Sequence, residues 1–216
     1  MTDLHVLFVG PIFVPKNENS LKSMSIEATR EKIVSVADRL FSRFGFQKTS
    51  IDEIVRTSRK AKGSLYYHFS SKEDLFKEVV LRELEGLKNK LAEMMSSNES
   101  TSAEKLSQYM MIRMDGMQEA VNYHETIKPD VFDHFDFLND LRAGFDKWEK
   151  EMLKKIINEG VEKGELKIEM DTDVMSDMFV MIIKGLEIPF FLQNKYNNYK
   201  DHFKKMSHIL LKGISP

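Results

Sequence analysis

The chain has 216 residues, 42% apolar and 31% charged, with 32 basic against 34 acidic side chains and a net charge of −2. That length and apolar fraction suit one or two domains with a sizeable core and exclude a disordered chain. The absence of cysteine excludes a disulfide scaffold, thiolate zinc sites, cysteine nucleophiles and thiol redox sensing, and fits a reducing cytoplasm.

Residues 4–14 are apolar, but Met-Thr-Asp leads them and Gly10-Pro11 interrupts them. They make a poor signal peptide and are too short to span a bilayer as a helix. No later apolar run is long enough either, so no membrane anchor is expected. Organised periodicity begins just after Met24, which makes Met24 a candidate natural start and residues 1–24 an extension.

Helical periodicity dominates the chain beyond Met24, and strand alternation is nearly absent. Ile33, Ala37, Leu40, Phe41 and Phe44 form one stripe, stopped by Gly45. Ser50 with Glu53, Ser70 with Glu73 and Thr101 with Glu104 have capping-box spacing. They predict helices near 51–58, 71–95 and 102–123. Pro129 marks a break. A long helix is expected from Leu138 to Glu159, ending at Gly160. Glu165–Met170 reads as a short extended link. A helix over 173–192 contains Gly185 and Pro189 and should bend there. In the last helix, 199–213, Tyr199, Phe203, Met206, Leu210 and Gly213 recur at 4-3-4-3 spacing.

Charge and methionine divide this chain of helices in two. Residues 25–75 hold ten Lys/Arg and seven Asp/Glu, whereas residues 76–216 hold 20 and 25. Seven cations lie within 43–72, opposed by Asp52 and Glu53 alone. A basic segment on an acidic body points to one face for a polyanion, with a merely solvated surface as the plain alternative. Apart from Met1 and Met24, the other twelve methionines fall between Met94 and Met206. Two units are therefore expected, 25–75 and 76–216.

Residues 49–76 read as a short capped helix, a tight basic turn, a second short helix opening at Lys62-Gly63, and a third capped helix. Two short helices joined by a turn form a helix-turn-helix, whose second helix can enter the major groove. Leu65 and Phe69, four apart, anchor that second helix inward. Ser64, Tyr66, Tyr67 and His68 surround those anchors, so several of them must face outward, where hydroxyls and an imidazole beside lysines are apt donors to phosphate oxygens.

On these residues the sequence resembles the tetracycline-repressor (TetR) family. The resemblance is carried by the helix Ile33–Phe44, Gly45-x-x-x-Thr49-Ser50-Ile51, Ile54-Val55, and Gly63-Ser64-Leu65-Tyr66-Tyr67-His68-Phe69 followed by Ser71-Lys72-Glu73-x-Leu75. It implies an all-α protein with an N-terminal three-helix DNA-binding head and a C-terminal helical-bundle body. By position, it places Lys62, Gly63, Ser64 and Tyr66 on a base-facing surface. It places Thr49, Ser50, Tyr67, His68 and Lys72 at phosphate contacts.

Two residues depart from the family's Ala-Gly-Val-Ser turn, here Ser58-Arg59-Lys60-Ala61. Arg59 replaces a glycine of positive φ, and Lys60 replaces an apolar plug. Either the turn differs locally, or two extra cations stand beside the DNA at a cost in stability.

In the body, Tyr109, Met110, Met114, Met117, Tyr123, His124, Phe132, Phe135 and Trp148 are candidate lining for an apolar ligand pocket. Filling a bundle core is the competing reading. Asp130 with His134, and His124 with Glu125, give too few ligands at one helical spacing for a metal site. No metal or cofactor is expected. Acids at 125, 130, 133 and 136 among aromatics point to a cationic ligand, with a solvated face as the alternative.

The resemblance also implies a homodimer through the last two helices, about 173–192 and 199–213, on a near-palindromic duplex. The expected activity is DNA-binding transcriptional regulation, with repression relieved by a small apolar or amphipathic effector. The alternative is an effector-independent DNA-binding dimer whose body is only a scaffold. No nucleophile–base pair or phosphate loop supports an enzyme.

Overall fold

The computed structural model describes residues 18–96, 100–128 and 135–215. Within them the order is α1 (Glu18–Phe44), α2 (Ile51–Ser58), α3 (Lys62–His68), α4 (Lys72–Met95), α5 (Ser102–Glu119), α6 (Val121–Thr126), α7 (Asn139–Glu162), α8 (Thr172–Gly185), a π-helical turn (Ile188–Leu192) and α9 (Tyr196–Lys212). The described residues are all-α, and no helix among them is long and apolar enough to cross a membrane. The helix α1 begins at Glu18, so it runs through Met24 without a break.

The predicted starts hold with one shift. Ser50 Oγ accepts from the Glu53 amide at 3.2 Å. Thr101 and Glu104 form a complete capping box. The cap of α4 is Ser71, which accepts from the Asp74 amide at 3.0 Å, and not Ser70. Ser70 instead donates to the Asp74 carboxylate.

Three ends differ from the pattern. The span 102–123 is broken at Ala120 (ψ 64°), which separates α5 from α6. Gly160 does not end α7: it is buried inside the helix, where Leu166 and Ser102 occupy the space that a side chain would need. The glycine beyond the helix end is Gly164, at φ +68°. The bend expected at Gly185 and Pro189 takes the form of the π turn. Proline has no N–H to donate, and the turn closes with wider bonds such as Gln193 N–H to the Ile188 carbonyl, 3.1 Å.

The first three helices pack on Ile33, Val36, Ala37, Phe41, Ile54 and Leu65, all buried. Arg82 of α4 fixes this head to the body side. It donates to both oxygens of Glu31 on α1, at 2.6 and 2.7 Å, and to Glu78 at 2.8 Å. Residues 135–138 form a 3-10 turn, and Phe135 in it packs against Phe46 and Phe76 with ring centroids 5.4 and 5.5 Å apart.

Candidate nucleic-acid interface

The helix-turn-helix geometry follows from its two anchors. Leu65 is fully buried and Phe69 nearly so. With these turned inward, α3 presents Tyr66 and Tyr67 to solvent, 48% and 72% exposed. Lys62 and Gly63 are also exposed, and Ser64 and His68 are half-buried. One face thus brings together a cation, hydroxyls and an imidazole. The Lys62 ammonium lies 2.8 Å from the Asp52 carboxylate on α2, and this hydrogen bond holds its proton more tightly than usual.

Arg59 takes the left-handed conformation, φ 56° and ψ 39°, at the end of α2. The turn geometry of a glycine is therefore kept with arginine in its place. Lys60 points back into the head: its ammonium donates to Thr29 Oγ1 of α1 at 3.1 Å. It serves as a polar link to α1 where the family places an apolar plug.

Two expected phosphate-contacting side chains are turned elsewhere. Thr49 is 1% exposed, and its hydroxyl donates to the carbonyls of Gly45 (2.9 Å) and Leu40 (3.3 Å). It staples the chain after α1 and does not reach the surface. Lys72 is half-buried, and its ammonium donates to the carbonyls of Phe46 (3.0 Å) and Thr49 (3.2 Å) while lying 4.2 Å from the Phe46 ring centre. Two of its three donors are committed to the 46–49 turn. Ser50 is exposed, with its hydroxyl oxygen capping α2.

Of the residues expected to line a pocket, Tyr109 and Tyr123 meet at one place, their hydroxyls on Glu149 and Glu187. Tyr109, Met110, Met114, Met117 and Tyr123 are packed in the core. Phe135 belongs to the aromatic cluster with Phe46 and Phe76. His124 stacks on Phe191, centroids 4.8 Å apart, with burial depressing its pKa. Trp148 is half-buried against Phe145. Phe132, Asp130, Asp133 and His134 lie outside the described residues.

A buried ionic network, unexpected from sequence, occupies this core. Arg113 of α5 is fully buried. It donates from Nε to Glu149 of α7 at 2.9 Å and from Nη2 to Glu187 at 2.6 Å. The Tyr109 hydroxyl donates to Glu149 at 2.6 Å. Burial alone would lower the Arg113 pKa, but the two carboxylates outweigh it and hold the pKa well up. Burial raises that of Glu187, against the pull of Arg113. The signal was present in the sequence: Arg113 sits in phase with Met110, Met114 and Met117 on the buried face of α5.

Among known families, residues 33–79 match "Bacterial regulatory proteins, tetR family", and residues 96–216 match "QacR-like protein, C-terminal region". The chain belongs to the TetR family. Members of this family are DNA-binding transcriptional regulators, not enzymes.

The chain is 47% identical over 51 residues to the HTH-type transcriptional regulator QacR of Staphylococcus aureus, covering 24% of this chain and 27% of that protein. It is 43% identical over 75 residues to LmrA of Bacillus subtilis, covering 34% and 40%. These matches thus span less than half of either relative. A longer match, 27% identical over 164 residues, covers 74% of this chain and 76% of the HTH-type transcriptional repressor KstR2 of Rhodococcus jostii. A transcriptional regulator from Cytophaga hutchinsonii shares the fold at TM-score 0.69 and 22% identity, over 86% of this chain and 98% of that one. NemR of E. coli does so at TM-score 0.67 and 18% identity, over 87% and 98%.

Proposed function

We propose that this TetR-family chain binds a near-palindromic operator as a homodimer and represses transcription in the bacterial cytoplasm. The observation that carries the reading is the solvent face of α3. Lys62, Gly63, Ser64 and Tyr66 would read base edges, and Ser50, Arg59, Tyr67 and His68 would contact phosphates. Lys60, Thr49 and Lys72 support that face from behind. The name of the KstR2 relative, a transcriptional repressor, favours repression over activation.

Dimerisation is supported by apolar side chains left outside the core. Val174, Met178, Met181 and Ile182 lie on one face of α8, and Tyr199, Met206, Ile209 and Leu210 on one face of α9; all are exposed. The 4-3-4-3 row read along α9 is split: Phe203 turns inward, while Tyr199, Met206 and Leu210 turn outward. Two such faces from each chain make a four-helix interface. Its symmetry would set the two α3 helices ~34–36 Å apart, one turn of DNA.

Release by a small apolar or amphipathic effector is the first reading of the body. The alternative is a scaffold that responds to no effector, and a change in operator affinity on adding a ligand separates the two. Binding of fluorescently labelled duplexes, selected by the protein from a random pool, tests the head across a salt series. Lys62→Ala should change the selected sequence. Tyr67→Phe should weaken all duplexes alike. Unchanged selection and affinity in both variants would remove α3 from the interface.

A further inference from the structure

The Lys62 ammonium does not stand alone on the proposed DNA face. It lies 2.8 Å from Asp52 Oδ1, and the pair joins the first turns of the two helices of the helix-turn-helix. Both side chains are open to solvent, 55% and 76% exposed. An ion pair so exposed adds little to stability. Nor does α2 depend on Asp52 for its start: the Ser50 hydroxyl caps it, and Glu53 supplies a second acid in the first turn. An acid on a surface turned to DNA repels phosphates, a cost that a contact with a base offsets.

The pair has hydrogen-bonding capacity to spare. An ammonium has three N–H donors, of which Asp52 takes one, and the carboxylate keeps further lone pairs. A donor and an acceptor are thus presented side by side, 2.8 Å apart. In the major groove every base pair offers the complement. The keto oxygen of guanine or thymine accepts, and the amino group of cytosine or adenine donates. The two are hydrogen-bonded to each other across the pair, roughly 2.9–3.0 Å apart. Lysine by itself does not tell which strand carries the keto oxygen, because its flexible stem lets a point charge reach either. With Asp52 at its side the direction is fixed. Turned around, the carboxylate would face the keto oxygen and the ammonium the amino group.

We propose that Asp52 is a specificity-determining residue: with Lys62 it reads the direction of the keto–amino hydrogen bond across one base pair in each half-site. The Lys62 ammonium donates to the keto oxygen. The Asp52 carboxylate accepts the groove-facing N–H of the amino group on the other strand. One strand is therefore restricted there to guanine or thymine, with guanine preferred because its N7 offers the ammonium a second acceptor. The inference rests on the reading of α3 as the base-facing helix.

Selection of duplexes from a random pool by the full chain, followed by affinity measurement on the selected site, tests the pair. The wild-type protein should enrich one position per half-site in guanine or thymine, and reversing that base pair should weaken binding at least about fivefold. In Asp52→Ala the same reversal should change affinity less than about twofold, while binding to unselected duplexes tightens because a repelling charge is gone. A second probe leaves the protein untouched. N4-methylcytosine or N6-methyladenine at that position puts a methyl group where the amino N–H faces the groove, and should weaken the wild type at least about fivefold. No effect of the methyl group, or a strand preference kept by Asp52→Ala while Lys62→Ala changes the selection, overturns the role of Asp52. Selection unchanged in both Lys62→Ala and Asp52→Ala removes α3 from base contact instead, and with it the reading on which the proposal stands.

Discussion

At the scale of single residues, the turn at Arg59 and Lys60 shows how backbone geometry constrains surface chemistry. The positive φ of Arg59 is one that an L residue adopts at a cost of about 1 kcal/mol, because its Cβ crowds the neighbouring carbonyl. Arg59→Gly should therefore stabilise the chain by up to about that amount in chemical denaturation, less the entropy that glycine gains on unfolding. The same change removes a cation from the edge of the α3 face, so DNA affinity should fall while stability rises. Lys72 runs the other way. With its ammonium on the Phe46 and Thr49 carbonyls, Lys72→Ala should cost about 1–2 kcal/mol of stability. Any loss of DNA binding should then accompany loss of the 46–49 turn.

At the scale of elements, the Arg113–Glu149–Glu187 network ties α5, α7 and the approach to the π turn. One guanidinium serves two buried carboxylates, so each partner is needed to offset the desolvation of the others. Glu149→Ala should destabilise the chain by about 3–5 kcal/mol, measured by thermal or denaturant unfolding, because it leaves Arg113 buried with half of its compensation. A replacement of the whole network by apolar residues of similar volume should cost far less. Helix starts are readable from local spacing, since a cap involves residues three apart. Interior breaks are not. Gly160 has the look of a terminator, but it is the small residue that lets α7 pass Leu166 and Ser102, a fact of packing that its neighbours in sequence do not carry.

At the scale of the whole molecule, the proposed dimer rests on the exposed apolar faces of α8 and α9. Met181 and Ile209 are 62% and 69% exposed in the single chain, an arrangement that water disfavours and a second copy would relieve. Ile209→Asp should shift the chain from dimer to monomer in sedimentation at micromolar concentration. Binding to a two-half-site duplex should weaken more than binding to a single half-site, because α3 itself is untouched.

Composition and short-range pattern alone determined the all-α class, the capped helix starts, the inward anchors Leu65 and Phe69, and the basic character of 43–72. Each of these depends on residues three or four positions apart, or on no partner at all. Tertiary structure decided which polar side chains reach the surface. Thr49, Lys60 and Lys72 have the chemistry of phosphate donors, but carbonyls and a hydroxyl brought close by folding claim them first. It likewise decided that Tyr109 and Tyr123 pack against a buried charge network, and that Asp38 and Glu83 meet at Asn122. The physical reason is common to all: a hydrogen bond or a desolvation penalty belongs to a pair of groups, and these pairs are made by packing across distances that the order of residues along the chain does not contain.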